Sequence, residues 1–300
     1  MIRVAVLGAG LIGLDLVHRI SRSTVLDCLL VVGRRRTTGL HRAAEAGCPT
    51  EVGGPERIAE HAECLDLVFD ASDAAGHVQL MEALGGRGPR IVDLTPSHLG
   101  VPVVPTVNPE QALLARDISL ISCAGQATIP VLHAVSQEFP PSYIEIVTTA
   151  ASVTAGPATR RNLDEFLACT GSAIAAFTGS PQVKVLANIS PAKPEPSFRL
   201  VMRLQAQGMD LRRVQALVEG AAQSVRTNAP GYAVTSCSLS GDVATVTAEV
   251  TSTGDWIPRY AGNLEIISAA AVAVATTLAT PATVPDPPDV AEPVAEGTHR

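Results

Sequence analysis

Aromatic side chains are scarce in this 300-residue sequence, at 3% with a single Trp, so a core has to come from Ala, Val, Leu and Ile. Positive charge is also in deficit, with 22 basic against 29 acidic residues and a net charge of -7. Such a chain offers no field to draw in nucleic acid or an anionic membrane, and neither partner is expected. The six cysteines (28, 48, 64, 123, 169 and 237) include no CxxC pair and no nearby His pairing. That indicates neither a zinc site nor a disulfide framework, and no metal is expected. The opening MIRVAVLGAG lacks the charged region, long apolar run and cleavage site of a secretory signal. The Ala/Val-rich stretch 266–280 is interrupted by Ser268, Thr276 and Thr277 and reads as too short to span a bilayer. A cytoplasmic location is the resulting expectation.

What is present is an α/β grammar. Continuous apolar runs at 2–7, 29–32, 67–70, 91–94 and 118–122 read as strands covered on both faces, with helical spacing such as 12–20 between them. This is the βαβ pattern of a Rossmann, doubly wound parallel sheet over residues 1–125. From 126 to 262 the runs lengthen and alternate (143–153, 183–189, 198–205, 233–239, 243–251), separated by helices near 160–177 and 211–226. An α+β second domain with a largely antiparallel or mixed sheet follows. Its open sheet face suits a second copy of the chain, so a homodimer is expected. A helix within 263–280 returns to the first domain. The tail 281–300, with five prolines, four acids and no aromatic residue, is expected to be disordered.

Gly8-Ala9-Gly10-Leu11-Ile12-Gly13 directly follows the first strand and opens a helix. In that context Gly8 makes the tight turn, Gly10 admits a pyrophosphate to the backbone, and Gly13 lets helix pack on strand. The second strand ends not in the usual acid but in Gly33-Arg34-Arg35-Arg36-Thr37-Thr38. Guanidiniums of Arg34 and Arg35 with neighbouring hydroxyls suit a 2′-phosphate, so NADP(H) is favoured, with NAD(H) as the alternative. Cys123 stands at a strand-to-helix corner, where unpaired N–H groups and the positive helix end favour thiolate over thiol. The same groups could stabilise the oxyanion of a covalent adduct. Cys28, Cys64 and Cys237 are expected to be buried and structural.

A dinucleotide domain feeding a cysteine implies hydride chemistry on carbon held by sulfur, acyl thioester on one side and aldehyde on the other. Ile121-Ser122-Cys123-Ala124-Gly125-Gln126-Ala127-Thr128-Ile129-Pro130 resembles the catalytic segment of the CoA-acylating acetaldehyde dehydrogenases, which work beside 4-hydroxy-2-oxoacid aldolases. Further matches are Val68-Phe69-Asp70-Ala71, Val92-Asp93-Leu94-Thr95-Pro96, Ala155-Gly156-Pro157-Ala158-Thr159-Arg160-Arg161-Asn162, Pro230-Gly231-Tyr232 and Tyr260-Ala261-Gly262-Asn263-Leu264-Glu265-Ile266. The resemblance extends over residues 2–278. It implies that Cys123 forms the acyl-thioester intermediate, with Gln126 of the same segment as a second catalytic candidate. It also implies cofactor contacts from Ala9 to Ile12, from the loop Thr154 to Asn162 that includes Arg160 and Arg161, and from Asn263. Coenzyme A or another thiol is the implied cosubstrate, and an aldolase an implied partner.

Two departures mark the chain. Arg35 stands where the family has an acid, and Leu200 stands where the family has a catalytic Asp. In an extended strand Leu200 shares its face with Phe198, Met202 and Leu204, which leaves that face wholly apolar. Beyond Cys123 only His133 and His299 remain, and His133 reads as a helix-face residue, not as a base. The expected activity is a thioester–aldehyde interconversion, reductive in direction. A cofactor-binding scaffold without turnover and a phosphorylating semialdehyde dehydrogenase are the alternatives.

Overall fold

The computed structural model describes residues 1–253 and 256–279; the tail expected to be disordered lies outside them. The first half alternates β1 (Ile2–Leu7), α1 (Leu11–Ser21), β2 (Leu26–Gly33), α2 (Thr38–Glu45), β3 (Thr50–Val52), α3 (Pro55–Glu60), β4 (Leu67–Asp70) and α4 (Ala74–Leu84). It continues through β5 (Arg90–Asp93), β6 (Val101–Pro102), α5 (Gln111–Leu114) and β7 (Asp117–Ser119). All seven strands are parallel, in the order β3-β2-β1-β4-β5-β7-β6. The central strands are apolar throughout because helices cover both faces: Val4, Val6, Val68, Phe69 and Val92 are fully buried. The short edge strands β3 and β6 escaped the sequence pattern, since Thr50, Glu51 and Pro102 give no apolar run. The strand expected over 118–122 stops at Ser119, because the chain turns sharply before Cys123.

The second half begins with α6 (Cys123–Ser136), β8 (Tyr143–Ala151), α7 (Pro157–Arg161), α8 (Leu163–Thr178), β9 (Val183–Ser190) and β10 (Phe198–Gln205). It closes with α9 (Leu211–Asn228), β11 (Tyr232–Ser240), β12 (Val243–Val250) and α10 (Gly262–Ala279). The sheet order is β11-β12-β10-β8-β9, antiparallel except for the parallel β8/β9 pair. β8 ends at Ala151 and not at 153, since Ser152–Thr154 form a 3-10 turn. One sheet face packs on α6, α8 and α9: Ile144, Ile146, Phe198, Leu200, Met202 and Leu204 are all buried. The opposite face, with Glu145, Arg199, Val201 and Arg203, carries no helix among the described residues.

α10 joins the two halves. Ile266 and Ala269 enter the core of the second half, while Ile267, Ala270, Ala271, Val274 and Ala275 enter that of the first. Arg19 on α1 bonds Asp15 and Glu265 on α10, each at 2.9 Å, with both carboxylates almost wholly buried. At 18 residues α10 is long and apolar enough to cross a membrane, contrary to the estimate from sequence, but most of it is buried inside the protein. Burial on nearly every side explains its even apolarity.

Candidate active site

The glycine turn after β1 has the shape its spacing predicts. Gly8 has φ +105°, and a Cβ there would lie 2.5 Å from the Ala71 carbonyl oxygen. A Cβ on Gly13 would lie 1.8 Å from the Gly8 carbonyl oxygen, so α1 can start this close to the turn only without a side chain. Gly10 faces open space, where a bound group can approach the backbone.

That open space belongs to a cleft of about 650 Å³ between the two halves, lined by Ala9, Gly10, Leu11 and Ile12 from the turn and α1, and by Cys123 from α6. Thr154, Ala155, Gly156, Thr159 and Asn162 line it from the loop around α7, and Asn263 from α10. Gly8 and Gly13 stand behind the lining, and Pro157 and Ala158 begin α7. Asn263 Oδ1 and Thr95 Oγ1 are buried without a hydrogen-bond partner, on two residues that line the cleft. Orphaned polar atoms beside a glycine turn and a helix N-terminus fit a dinucleotide, whose amide and hydroxyl groups could satisfy them.

Cys123 is the first residue of α6, and Ser122 caps the helix by accepting the Gly125 N–H at 2.9 Å. Ser122 Oγ also shares a hydrogen bond of 2.7 Å with Thr170 Oγ1 on α8. Two residues earlier Ile121 takes φ +65°, a strained conformation for a β-branched residue, which swings the chain out of the sheet into the helix. The thiolate expected from this corner is not what the structure supports. Burial pushes the Cys123 thiol up to about 12, outweighing the Ala124 and Cys123 N–H groups that pull the other way. The sulfur packs where the two hydrophobic cores meet, and the helix end cannot compensate for that lost hydration.

Several expected residues lie elsewhere. Gln126 is not at the cleft: its Nε2 donates to the Val103 and Leu120 carbonyls at 2.8 and 3.0 Å, which uses its amide as a brace. Arg34 pairs with Asp73 at 2.8 Å, and Arg161 reaches the same carboxylate oxygen at 3.1 Å. Arg160 folds back onto Ala155 and Ser152. Arg35 is exposed and outside the lining, while Arg42 on α2, which pattern alone did not single out, lines the cleft together with Thr38. Arg42 pairs with no carboxylate among the described residues. Asp73 was equally hidden from the sequence. Burial opposes its ionisation, but the Gly76 N–H, Arg34 and Arg161 hold its carboxyl below the usual range.

Leu200 is fully buried on β10, paired with Thr148 and Ala248, and its face is apolar as expected. His133 is bonded to the Phe177 carbonyl at 2.8 Å. Of the cysteines expected to be buried, Cys64 is exposed because it sits in a short surface turn, and Cys28 and Cys237 are half-buried. Cys169, to which nothing was assigned, is buried 3.7 Å from the Ile121 carbonyl.

The acetaldehyde dehydrogenase of Streptomyces griseus subsp. griseus is 47% identical over 273 residues, 91% of this chain and 88% of the relative. The chain belongs to the acetaldehyde dehydrogenase family. The acetaldehyde dehydrogenase of Geobacillus stearothermophilus is 39% identical over 93% of this chain and 96% of its own. A family model described as prokaryotic acetaldehyde dehydrogenase, dimerisation, matches residues 123–258, starting at Cys123. Among solved structures, aspartate semialdehyde dehydrogenase II of Vibrio cholerae, complexed with ASA, superposes with a TM-score of 0.65 at 15% identity. That match covers 93% of this chain and 98% of the other, and it shows a shared fold. This chain carries the cysteine corner, the glycine turn and a buried Leu200 in the sheet of its second half.

Proposed function

We propose that this chain is an acylating aldehyde dehydrogenase that interconverts an acyl thioester and an aldehyde through Cys123, in the reductive direction and with NADP(H) preferred over NAD(H). The observation that carries this reading is the placement of Cys123, at a helix N-terminus lining the same cleft as Gly10 and Asn263. As Sγ attacks the carbonyl of the incoming thioester, its proton passes to the departing coenzyme A sulfur and the C–S bond to coenzyme A breaks. The N–H groups at the start of α6 would stabilise the charge that the carbonyl oxygen gathers. The nicotinamide, when bound, supplies the hydride that takes the acyl carbon to the aldehyde level. Collapse then breaks the bond from carbon to Cys123 Sγ, and the freed sulfur takes a proton from solvent. Leu94, Pro96, Phe166 and Ile267 around the cleft exclude water that would hydrolyse the acyl-enzyme.

The cofactor preference is supported by the missing acid at the end of β2 and by Arg42 and Thr38 at that end of the cleft. Homodimerisation through the helix-free sheet face, and association with an aldolase, complete the proposal. Leu200 favours one other reading, a homologue that binds cofactor without turnover. Intact-mass measurement after mixing with acetyl-CoA and longer acyl-CoAs separates the two, alongside NADPH and NADH consumption. A single acyl adduct absent from Cys123→Ala, with thioester-dependent NADPH oxidation, is expected. Labelling that persists in Cys123→Ala sinks the mechanism, and NADPH binding with neither adduct nor oxidation establishes the second reading.

A further inference from the structure

His77 on α4 is fully buried beneath the cleft, with both ring nitrogens facing carboxylates. Nδ1 lies 3.0 Å from Asp70 Oδ2 and 3.6 Å from Asp93 Oδ1, and Nε2 lies 3.2 Å from Asp117 Oδ2. A neutral imidazole has one donor, and an ionised carboxylate only accepts, so this arrangement calls for the imidazolium. Burial alone would strip that proton, but hydrogen bonds to Asp117 and Asp70 and the charge on Asp93 push His77 up to about 10. Burial and the Asp70 charge raise Asp93 to about 7.

The two aspartates face two ways. On the side away from His77, Asp70 Oδ1 accepts the Ser72 N–H at 3.0 Å and the Ser72 hydroxyl at 2.5 Å. Asp93 Oδ1, the oxygen that faces His77, also accepts the Thr95 N–H at 2.7 Å, and its Oδ2 accepts the Ser97 hydroxyl at 2.6 Å. Ser72 and Thr95 both line the cleft, and the Ala71 carbonyl just before Ser72 is the group that closes on Gly8. Asp70 and Asp93 end β4 and β5, which stand between β1 and β7, on the Cys123 side of the glycine turn and away from Arg42. In a doubly wound sheet that side takes the nicotinamide half of a dinucleotide. Without the Nδ1 donor that binds Asp70 and faces Asp93, carboxylates this close would repel one another and release both loops.

We propose that His77 is a positioning residue for the nicotinamide half of the cofactor site, holding through Asp70 and Asp93 the two loops that present Ser72 and Thr95. The proposal rests on the reading of the cleft as a dinucleotide site. Two substitutions separate its effects. His77→Asn can keep a donor where Nδ1 meets Asp70, whereas His77→Gln can keep one only where Nε2 meets Asp117. Full-length protein is titrated with NADPH and NADH by fluorescence, unfolding temperature is measured in parallel, and Cys123 acylation is followed by intact mass without cofactor.

His77→Gln is expected to weaken binding of the preferred cofactor at least tenfold, given the cost of displaced positioning groups, while His77→Asn stays within about threefold. Both should lower the unfolding temperature, and cofactor-free acylation of Cys123 should be unchanged. If either variant fails to fold, the same comparison in an Asp117→Asn background removes one of the carboxylates left unpaired. Equal cofactor affinity in the two variants, whatever their stability, overturns the proposal. Absence of NADPH and NADH binding by the unaltered protein instead overturns the cofactor reading, and this inference with it.

Discussion

The Cys123 thiol offers a quantitative test, because burial raises it from 9.0 to about 12. Three units correspond to about 4 kcal/mol against the charged form and about a thousandfold fewer thiolates than an ordinary cysteine at neutral pH. A more basic thiolate is also a better nucleophile, by about 20-fold over three units, so the net alkylation rate should be about 50-fold below that of an ordinary thiol. Iodoacetamide labelling read peptide by peptide gives the comparison within one molecule, with exposed Cys64 as the reference. The Cys123 rate should climb tenfold per pH unit with no plateau up to pH 10. Stability follows the same linkage: a group with a raised folded value contributes stability that is complete below about pH 9 and lost as pH rises toward 12. The stability difference between the unaltered protein and Cys123→Ala should therefore shrink in that range. A labelling plateau below pH 8, or Cys123 reacting faster than Cys64 at pH 7, would refute the dominance of burial and restore the thiolate that the helix end alone predicts.

Three further outcomes are expected. Arg42→Ala removes the guanidinium lining the α2 side of the cleft and, on the proposed NADP(H) preference, should cost about 1.5–3 kcal/mol in NADPH binding, with NADH affinity within twofold, as measured by fluorescence titration. Arg19→Met leaves Asp15 and Glu265 buried without their cation and should lower unfolding free energy by about 3–5 kcal/mol in urea; a loss under 1 kcal/mol would show that the pair is not needed to hold α10. Gly13→Ala puts a Cβ 1.8 Å from a backbone oxygen, a clash no rotamer relieves, so dinucleotide binding should vanish while far-UV circular dichroism stays native.

What the sequence made legible was local or periodic. The glycine turn follows from six consecutive residues, and the buried strands from runs with no polar member. The alternation in β8, β10 and β12 follows from one packed face, and α10 from an Ala/Val-rich stretch. What stayed hidden depends on partners far along the chain. Arg34 looked free for a phosphate, yet Asp73, 39 residues on, holds it, and Arg161 joins them across 88 residues. Gln126 sits three residues from Cys123, but a helix turns it away from the cleft and into the carbonyls of Val103 and Leu120. The helix end beside Cys123 was visible, and the hydrocarbon that outweighs it was not, because that packing comes from two cores assembled from separate parts of the chain.

The same division governs how Cys123 is held. Ile121 at φ +65° costs about 1–3 kcal/mol and persists only if its surroundings over-determine it. Those surroundings belong mainly to the second half of the chain: Thr170 on Ser122, Cys169 against the Ile121 carbonyl, and the Tyr232 hydroxyl on the Ala127 carbonyl at 2.8 Å. A Cβ on Gly125 would stand 2.9 Å from Ile121 Cγ2, so the turn also depends on a missing side chain. The glycine turn, by contrast, is built from the first half: β1, α1, the end of β4, and β2, whose Val32 carbonyl accepts the Gly8 N–H at 2.8 Å. In the proposed mechanism sulfur and cofactor would thus be positioned by different halves, and hydride transfer would tolerate little error between them. α10, with neighbouring residues such as Ile266 and Ile267 sunk into opposite cores, fixes one half against the other. In the proposed mechanism its apolar faces would serve the chemistry as well as the fold, and its buried Glu265 adds a tie to Arg19 on α1 at 2.9 Å.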